Sequence, residues 1–250
     1  MKKYKKPVII TAAVLVLAVI TAAVLYFSGI IHINHPNLSG YEVRGVDVSK
    51  YQGEIDWELL ASQNIDFAFI KATEGSSYVD EQFAYNLENA QKTDLRIGFY
   101  HFFSFESPGR TQADNFINNV PVLDNSLPPV IDVELYGKFR KEPLDKDIVT
   151  KELDDIITRF TEYYGQKPII YTTGTAYNLY VKEDHSDCEL WIRNVYSAPA
   201  AELNWSFWQY DARTRLKGYK GEEQFIDMNV FRGTKEDFGN YNTKPYTEEK

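Results

Sequence analysis

The fold is decided by one stretch of the sequence, Leu127-Pro128-Pro129-Val130-Ile131-Asp132-Val133-Glu134. Its two prolines end whatever element precedes them, and the branched apolar residues that follow favour an extended strand. Side chains at positions i and i+2 of a strand point to the same face. We therefore expect Asp132 and Glu134 to lie side by side on one face of the strand, with Ile131 and Val133 on the other.

Two carboxylates on one face of a buried strand are costly. A neighbouring like charge raises the pKa of a carboxyl group, and so does the loss of water. Pairs of this kind often serve to hold a proton near neutral pH. The alternative is a strand end whose carboxylates lie in solvent or pair with Lys or Arg. From this stretch alone, both interpretations stay open.

The composition is that of a globular domain with an acidic body. The chain has 250 residues, 44% of them hydrophobic and 25% charged, and a formal net charge of -9. No acidic residue precedes Glu42, so residues 41–250 carry 23 basic against 36 acidic residues, a net charge of -13. An acidic body argues against nucleic acid as a partner. The single cysteine, Cys188, excludes an intramolecular disulfide and is predicted to be a buried thiol.

The N-terminus carries an uncharged apolar segment behind four lysines. This segment, Pro7–Phe27, has 21 residues, which is long enough to cross a bilayer core. Lysines on its leading flank place the N-terminus in the cytoplasm. A cleavable signal peptide is the alternative, but its apolar region usually has about 7–15 residues. We therefore predict a cytoplasmic basic segment over 1–6, a retained signal anchor in the cell membrane over 7–28, and a linker over 29–40. Secretion after cleavage stays open.

From Tyr41 the chain alternates short apolar runs with amphipathic stretches. Strands are predicted at 43–49, 67–72, 96–103, 129–134, 168–172, 189–194, 205–210 and 225–231. Helices are predicted at 56–63, 82–92, 110–118 and 146–164, the last with an apolar stripe at Ile148, Leu153, Ile156, Ile157 and Phe160. Such alternation predicts an α/β fold with a parallel sheet. We expect a modified (β/α)8 barrel of the TIM type with fewer helices than strands, forming one domain over 41–240, followed by a polar tail at 241–250.

The acidic residues fall at corresponding places in these strands. In barrels of this type the working residues lie at the C-terminal ends of the strands, on one rim. Asp47 ends the first strand, Asp132 and Glu134 end the fourth, and Asp227 lies in the eighth. Because the first and eighth strands are neighbours in a closed barrel, we expect the four carboxylates to converge on one cleft.

Aromatic residues occupy similar strand ends. They are Tyr100, Tyr171, Trp191, Trp208 and Tyr210. Carboxylates do the proton work of glycoside cleavage and flat rings stack on sugar faces, so an acidic cleft lined by rings suits a polysaccharide. For each ring taken alone, packing in the core is the alternative.

Other chemistries leave weaker signals. His101 is the histidine that falls in a predicted barrel strand, and a hydrogen-bonded structural role there is more common than a catalytic one. A zinc hydrolase is therefore not expected, although residue types leave open an all-oxygen Mg²⁺ or Ca²⁺ site. The sequence contains no Gly-x-Ser-x-Gly elbow and no phosphate-binding glycine loop. No cofactor is predicted.

Seven motifs, correctly ordered and spaced, resemble those of the glycoside hydrolase family 25 lysozymes. They are Gly45–Gly53, Phe69–Gly75, Gly98–Phe102, Pro129–Glu134, Leu190–Ile192, Trp208–Tyr210 and Ile226–Asn229. Each motif is weak alone, but the match runs in order from about Gly45 to Phe231, over most of the chain after the linker. Arg193 and Asn194 depart from the pattern, which usually has a small residue after the Trp-Ile pair.

This resemblance implies cleavage of the β-1,4 bond between N-acetylmuramic acid and N-acetylglucosamine in peptidoglycan. It implies Glu134 as the general acid and Asp132 as the group that orients or stabilises the 2-acetamido group of the substrate. Asp47 and Asp227 are implied as the remaining cleft carboxylates. A carboxylate separation of about 5–5.5 Å would favour a protein nucleophile, and a wider one an attacking water or the substrate's own acetamido group.

The anchor bears on the biological role. A tethered hydrolase would act near the membrane-facing side of the wall, which favours remodelling by the producing cell. The alternative from another class of protein is a membrane-tethered peptidoglycan-binding scaffold that keeps the barrel but does not cut. The presence of all four carboxylates favours the enzyme.

Overall fold

The computed structural model describes residues 5–31 and 36–242. The chain divides into two compact units, one ending at His35 and the other beginning at Pro36. Three parts of the predicted segments lie outside the described residues. They are residues 1–4 of the basic segment, 32–35 of the linker and 243–250 of the polar tail.

The first unit is one apolar helix, α1, over Lys5–Phe27. Within it, the 20 residues Val8–Phe27 are long and apolar enough to cross a membrane. At 1.5 Å per residue such a helix is about 30 Å long, which matches the hydrocarbon core of a bilayer. The helix coincides with the segment that the sequence predicts over 7–28.

The second unit is a closed barrel. Its strands are β1 Arg44–Val48, β2 Phe67–Glu74, β3 Tyr78–Val79, β4 Arg96–Phe102, β5 Val130–Val133, β6 Ile169–Thr173, β7 Leu190–Arg193, β8 Trp205–Thr214 and β9 Ile226–Phe231. Around the barrel the order is β1-β2-β4-β5-β6-β7-β8-β9, and β9 pairs with β1 to close it. The short strand β3 lies outside this ring and pairs with β2 alone. The predicted eight-stranded barrel is confirmed.

The helices surround the barrel unevenly, with fewer helices than strands, as predicted. They are α2 Trp57–Ala61, α3 Phe83–Ala90, α4 Gly109–Asn119, α5 Lys146–Tyr164, α6 Gly174–Ala176 and α7 Lys235–Asn240. Short 3-10 turns lie at Lys50–Gln52 and Gly137–Arg140, and a π turn at Tyr177–Val181 extends α6. Asp56 caps α2, as the sequence predicts, by accepting a hydrogen bond from the backbone of Leu59 at 3.0 Å.

One strand runs against the predicted direction. β9 is antiparallel to both β1 and β8, whereas the alternation of elements predicts a parallel sheet. The chain between β8 and β9 is short and forms no helix, and strands joined by a short loop pair antiparallel. The first residues of β9 therefore lie on the rim where the parallel strands end. Asp227 still reaches that rim, directly opposite Asp47 in the β1–β9 register.

Large apolar side chains fill the barrel interior below the rim. They are Val43, Phe67, Phe69, Leu127, Val130, Ile169, Tyr171, Trp191, Phe207, Phe231 and Phe238. The Trp191 ring stacks on Phe69 with centroids 4.4 Å apart. A Cβ added to Gly45 would lie 2.3 Å from the Phe67 ring, so this position requires glycine. The interior is a packed core, and the rim cleft has a solid floor.

A second apolar layer lies between the strands and the helices. The α4 and α5 helices meet there through Phe116 and Phe160, whose ring centroids are 4.6 Å apart. Cys188 is buried in this layer, as predicted. The stripe predicted for α5 is wrong at its first residue, because Ile148 is 54% exposed and its neighbour Val149 is buried instead. The core therefore contacts a face of α5 one residue away from the predicted one at that end.

Candidate active site

Asp132 and Glu134 lie at the C-terminal end of β5. Val130 belongs to the barrel interior, whereas Ile131 and Val133 belong to the outer apolar layer. The strand therefore alternates as predicted, and both carboxylates follow Val130 on the inward face. Asp132 is buried and Glu134 is half-buried, so Glu134 is the member nearer to the mouth.

This pair is placed where a carboxylate charge is unfavourable. Burial, and then the charge of Glu134, raises the pKa of Asp132 well above its usual range. Burial also raises the pKa of Glu134, against the opposing effect of Arg193 and Arg140. In addition, Asp132 Oδ1 is buried without a hydrogen-bond partner among the described residues. Because two close carboxylates titrate as a unit, the pair retains a proton at a pH where an isolated carboxyl group has lost it.

Asp47 is held by two side-chain amides from neighbouring strands. Its Oδ2 accepts hydrogen bonds from Gln209 Nε2 at 2.9 Å and from Asn229 Nδ2 at 2.7 Å. Each amide is itself oriented by an aromatic donor from the barrel floor. Tyr171 donates its hydroxyl to Gln209 Oε1 at 3.1 Å, and Trp191 donates Nε1–H to Asn229 Oδ1 at 2.7 Å. These four hydrogen bonds fix the position of the Asp47 carboxylate.

Asp47 and Asp227 form a second carboxylate pair with unequal partners. Burial raises the pKa of Asp47, but the hydrogen bonds from Asn229 and Gln209 oppose that rise. Burial, and then the charge of Asp47, raises the pKa of Asp227 well above its usual range. The hydrogen-bond donors therefore favour a charge on Asp47 and a proton on Asp227. The rim thus holds four carboxyl groups, as predicted, but in two differently solvated pairs.

Two basic side chains accompany the acids. Lys71 follows Phe69 on the inward face of β2, and its Nζ lies 2.7 Å from Glu74 Oε2. Arg193 follows Trp191 on the inward face of β7. Sequence reasoning did not assign Lys71, Gln209 or Asn229 to the site. The alternation of side chains along a strand could have identified them. Each of the three residues lies two positions from an interior residue of its own strand and therefore points inward as well.

The predicted aromatic lining divides into an inner and an outer set. Tyr100 is half-buried at the rim, whereas Tyr171 and Trp191 are buried below it and orient the amides around Asp47. Trp208 and Tyr210 lie in the outer apolar layer, so the prediction that they line the cleft is wrong. Trp208 is fully buried, with its ring 5.6 Å from that of Tyr41.

The cause of this error is the alternation along β8. Phe207 belongs to the barrel interior and Gln209 contacts Asp47, so both side chains point inward. Trp208 and Tyr210 are therefore on the opposite face of the strand. The sequence offers two alternating sets of side chains in β8, Phe207 with Gln209 and Trp208 with Tyr210. Both sets suit a cleft, so the sequence alone does not decide which one points inward.

A cavity of about 280 Å³ lies beside the second carboxylate pair. Its lining includes Asp47, Tyr51, Tyr100, Phe225 and Asp227. The cavity combines carboxylates with exposed ring surface, the combination that binding and cleaving a sugar requires.

Within residues 5–31 and 36–242, no group of three or more His, Cys, Asp or Glu side chains is arranged to hold a metal ion. His101 is buried, with Nδ1 2.7 Å from Thr73 Oγ1 and Nε2 3.1 Å from Gln112 Oε1. Burial lowers the pKa of His101 to about 4. This histidine is therefore a neutral part of the packing below the rim.

Comparison with known proteins gives consistent relatives. Residues 46–219 match the model of the family described as glycosyl hydrolases family 25. A family 25 glycosyl hydrolase structure from Bacillus anthracis is 50% identical with a TM-score of 0.79, and the match covers 84% of this chain and 98% of that one. Lysozyme M1 from Streptomyces globisporus is 32% identical over 210 residues, 77% of this chain and 68% of the lysozyme. The N,O-diacetylmuramidase of Chalaropsis sp is 28% identical over 209 residues, 75% of this chain and 95% of the relative.

Proposed function

Because this chain belongs to glycosyl hydrolase family 25, we propose that it is a lysozyme that hydrolyses peptidoglycan. The bond cleaved is the β-1,4 bond between N-acetylmuramic acid and N-acetylglucosamine, and Glu134 is the general acid. The relatives named lysozyme and muramidase support the reaction. The observation that supports the assignment of roles is the proton-retaining pair Asp132 and Glu134 on the inward face of β5.

Glu134 suits the role of proton donor to the glycosidic oxygen. It lies nearer to the mouth than Asp132, so the leaving group can reach it. A general acid needs a raised pKa to carry its proton at neutral pH, and burial supplies it here. After the transfer, the nearby positive charges of Arg193 and Arg140 stabilise the carboxylate that remains.

Asp132 suits the role of orienting the 2-acetamido group. Its buried Oδ1 lacks a partner among the described residues, and the acetamido N–H of a bound sugar is a donor that would satisfy it. The carbonyl oxygen of that acetamido group would then point towards the anomeric carbon. Asp47, fixed by its two amide donors, is a negative charge placed to stabilise the positive charge that develops in the sugar ring.

We assign the N-terminal helix as a signal anchor with the N-terminus in the cytoplasm and the barrel outside the cell. The support is the apolar helix Val8–Phe27 together with the lysines that precede it. A tethered hydrolase acts on the membrane-facing side of the wall, which fits cell-wall remodelling by the producing cell. A cleaved signal peptide with a secreted enzyme is the alternative.

The test is digestion of purified peptidoglycan by the full-length protein in detergent micelles. Wild type is compared with Glu134→Gln and with a control variant, Glu88→Gln. Glu88 is an exposed glutamate on α3 that pairs with Lys92. Wild type and Glu88→Gln should release fragments with new muramic acid reducing ends, detected by mass spectrometry. Glu134→Gln should lose about 10²–10⁴-fold in rate, the usual contribution of a general acid.

Each alternative has its own outcome in this experiment. Near-normal turnover by Glu134→Gln would remove Glu134 from the acid role. Sedimentation of all three proteins with the wall, without released fragments, would favour the binding scaffold. Loss of activity on addition of a chelator would favour a metal-dependent hydrolase.

A further inference from the structure

Arg193 is a cation that faces an acidic cleft. It is the last residue of β7 and follows Trp191, which belongs to the barrel interior, whereas Ile192 belongs to the outer layer. In the strand register it lies beside Gln209, the residue that holds Asp47. Its charge acts on Asp47, Glu134 and Asp227 together. Its guanidinium is therefore directed into the cleft between the two carboxylate pairs.

The guanidinium has no close partner in the part of the chain that the structure describes. No hydrogen bond or ion pair within 4.0 Å joins it to another described residue, although it is half-buried. The other cations nearby are engaged differently. Lys71 is paired with Glu74 at 2.7 Å, and Arg140 lies exposed in the 3-10 turn after β5, where its Nε donates to the Leu135 carbonyl. Arg193 is thus a half-buried cation whose planar donors remain available.

We infer that Arg193 recognises the free lactyl carboxylate of a muramic acid residue in the substrate. This inference rests on the proposed function, since it concerns the same cleft. A strand of unsubstituted muramic acid carries one carboxylate in each disaccharide, and the carboxylates of the cleft that remain charged would repel it. A guanidinium fork matches a carboxylate in shape and can bind it through two parallel hydrogen bonds. N-acetylglucosamine has no such group.

This assignment implies that another reaction must first produce the substrate that the enzyme prefers. In an intact wall, the lactyl carboxyl group of muramic acid is consumed in the amide bond to the peptide stem. The substrate that Arg193 prefers is therefore a glycan strand from which peptides have been removed. An amide-bond hydrolysis that frees the lactyl carboxylate must supply it.

The test uses two preparations of the same peptide-free glycan strands. One keeps its lactyl carboxylates and the other has them converted to neutral methylamides. For the full-length protein in detergent, kcat/KM on each preparation gives a ratio of charged to neutral substrate. Wild type should favour the charged strands by about tenfold, as a charge-assisted contact at a half-buried site allows. Arg193→Ala should bring the ratio close to 1, and Arg193→Lys should give an intermediate value.

The outcomes separate this inference from the proposed function. A wild-type ratio near 1, or a ratio that Arg193→Ala leaves unchanged, would overturn the role of Arg193 while the enzyme still cleaved glycan. An unchanged ratio with equal losses on both preparations would mean that Arg193 acts on the carboxylates of the protein and not on the substrate. Failure of wild type to cleave either preparation would instead overturn the proposed hydrolase activity, and this inference with it.

Discussion

Asp132 is held in surroundings that favour its neutral form, and this should cost the protein stability. Burial and the charge of Glu134 raise its pKa well above the value of about 4 that an aspartate has in an unfolded chain. A carboxyl group with a raised pKa in the folded state contributes stability that is fully present below the unfolded pKa. That contribution is lost as the pH rises through the folded pKa. The proposed catalytic role of Asp132 and the stability of the fold therefore place opposite demands on this residue.

The first prediction follows from that conflict. Asp132→Asn should lose most of its turnover, yet at pH 8 it should be more stable than wild type by about 1–2 kcal/mol. At pH 4 the difference should nearly vanish, because wild type is then neutral at this position too. Thermal unfolding followed by tryptophan fluorescence at both pH values measures the change. Asp94→Asn, in an exposed loop, is the control. A variant that is equally or less stable than wild type at pH 8 would contradict the burial argument.

His101 should give the opposite pH dependence. Burial lowers its pKa to about 4, so it stays neutral in the folded protein while the unfolded chain takes up a proton near pH 6.5. Stability should therefore fall by about 3 kcal/mol from this residue alone as the pH falls from 6.5 to 4. His101→Asn should be less stable than wild type at pH 7, because Gln112 or Thr73 loses a partner. Its stability should also depend less on pH in this window. The free energy of unfolding is measured by urea titration at pH 6.5, 5 and 4. If it depends on pH as strongly in His101→Asn as in wild type, His101 is not the source of the pH dependence.

At the scale of the element, the sequence predicts a strand and its inward face well where the alternation of apolar and polar residues and the length of the apolar run indicate the same element. The stretch 130–134 has branched apolar residues and one pair of acids, so the strand, its inward face and its carboxylates all follow from it. β8 is different, because Phe207, Trp208, Gln209 and Tyr210 offer two plausible inward faces. The strand also shifts register against β9 between Gln209 and Asp211. Which face packs inward is decided by the partner strands and not by the local sequence.

The amides around Asp47 illustrate the same limit. Gln209 and Asn229 lie on different strands, and only barrel closure brings both to within hydrogen-bond distance of Asp47 Oδ2. A single sequence contains the three residues but not the register that joins them. The direction of β9 is a related case, since the reversal depends on a short connection between two strands. The four acids could nonetheless be predicted, because each lies where a strand meets the rim.

The α4–α5 contact carries a prediction at this scale. α4 begins at Gly109, where an added Cβ would lie 2.0 Å from the backbone oxygen of Glu152 on α5. Gly109→Ala must separate the two helices and should destabilise the protein by about 1–3 kcal/mol. Gly174→Ala is the matched control, because its Cβ would meet no heavy atom within 4 Å. Calorimetry should show a lower melting temperature for the first variant and little change for the second. Equal melting temperatures would mean that the helices move apart at no cost.

At the scale of the whole molecule, charge and tether act together. The residues after the linker carry a net charge of -13, so a bacterial wall rich in anionic polymers does not attract them electrostatically. Under the proposed anchoring, the apolar helix would raise the effective concentration of the enzyme near the wall without any wall-binding surface. The proposed retention of α1 would therefore contribute to activity in the cell alongside the affinity of the cleft.

That argument yields the last prediction. Wild type should fractionate with membranes, resist extraction by alkaline carbonate and dissolve in detergent. Leu17→Arg places a charge near the middle of Val8–Phe27, at an insertion cost of about 2.5–3.5 kcal/mol, and should shift protein out of the membrane fraction. Leu17→Ile, which keeps the segment apolar, should behave as wild type. Protease added outside protoplasts should digest the barrel of the wild-type protein and leave a fragment that contains α1. A culture medium that holds most of the protein, beginning after residue 27, would show instead that the helix is a cleaved signal and that the tether plays no part.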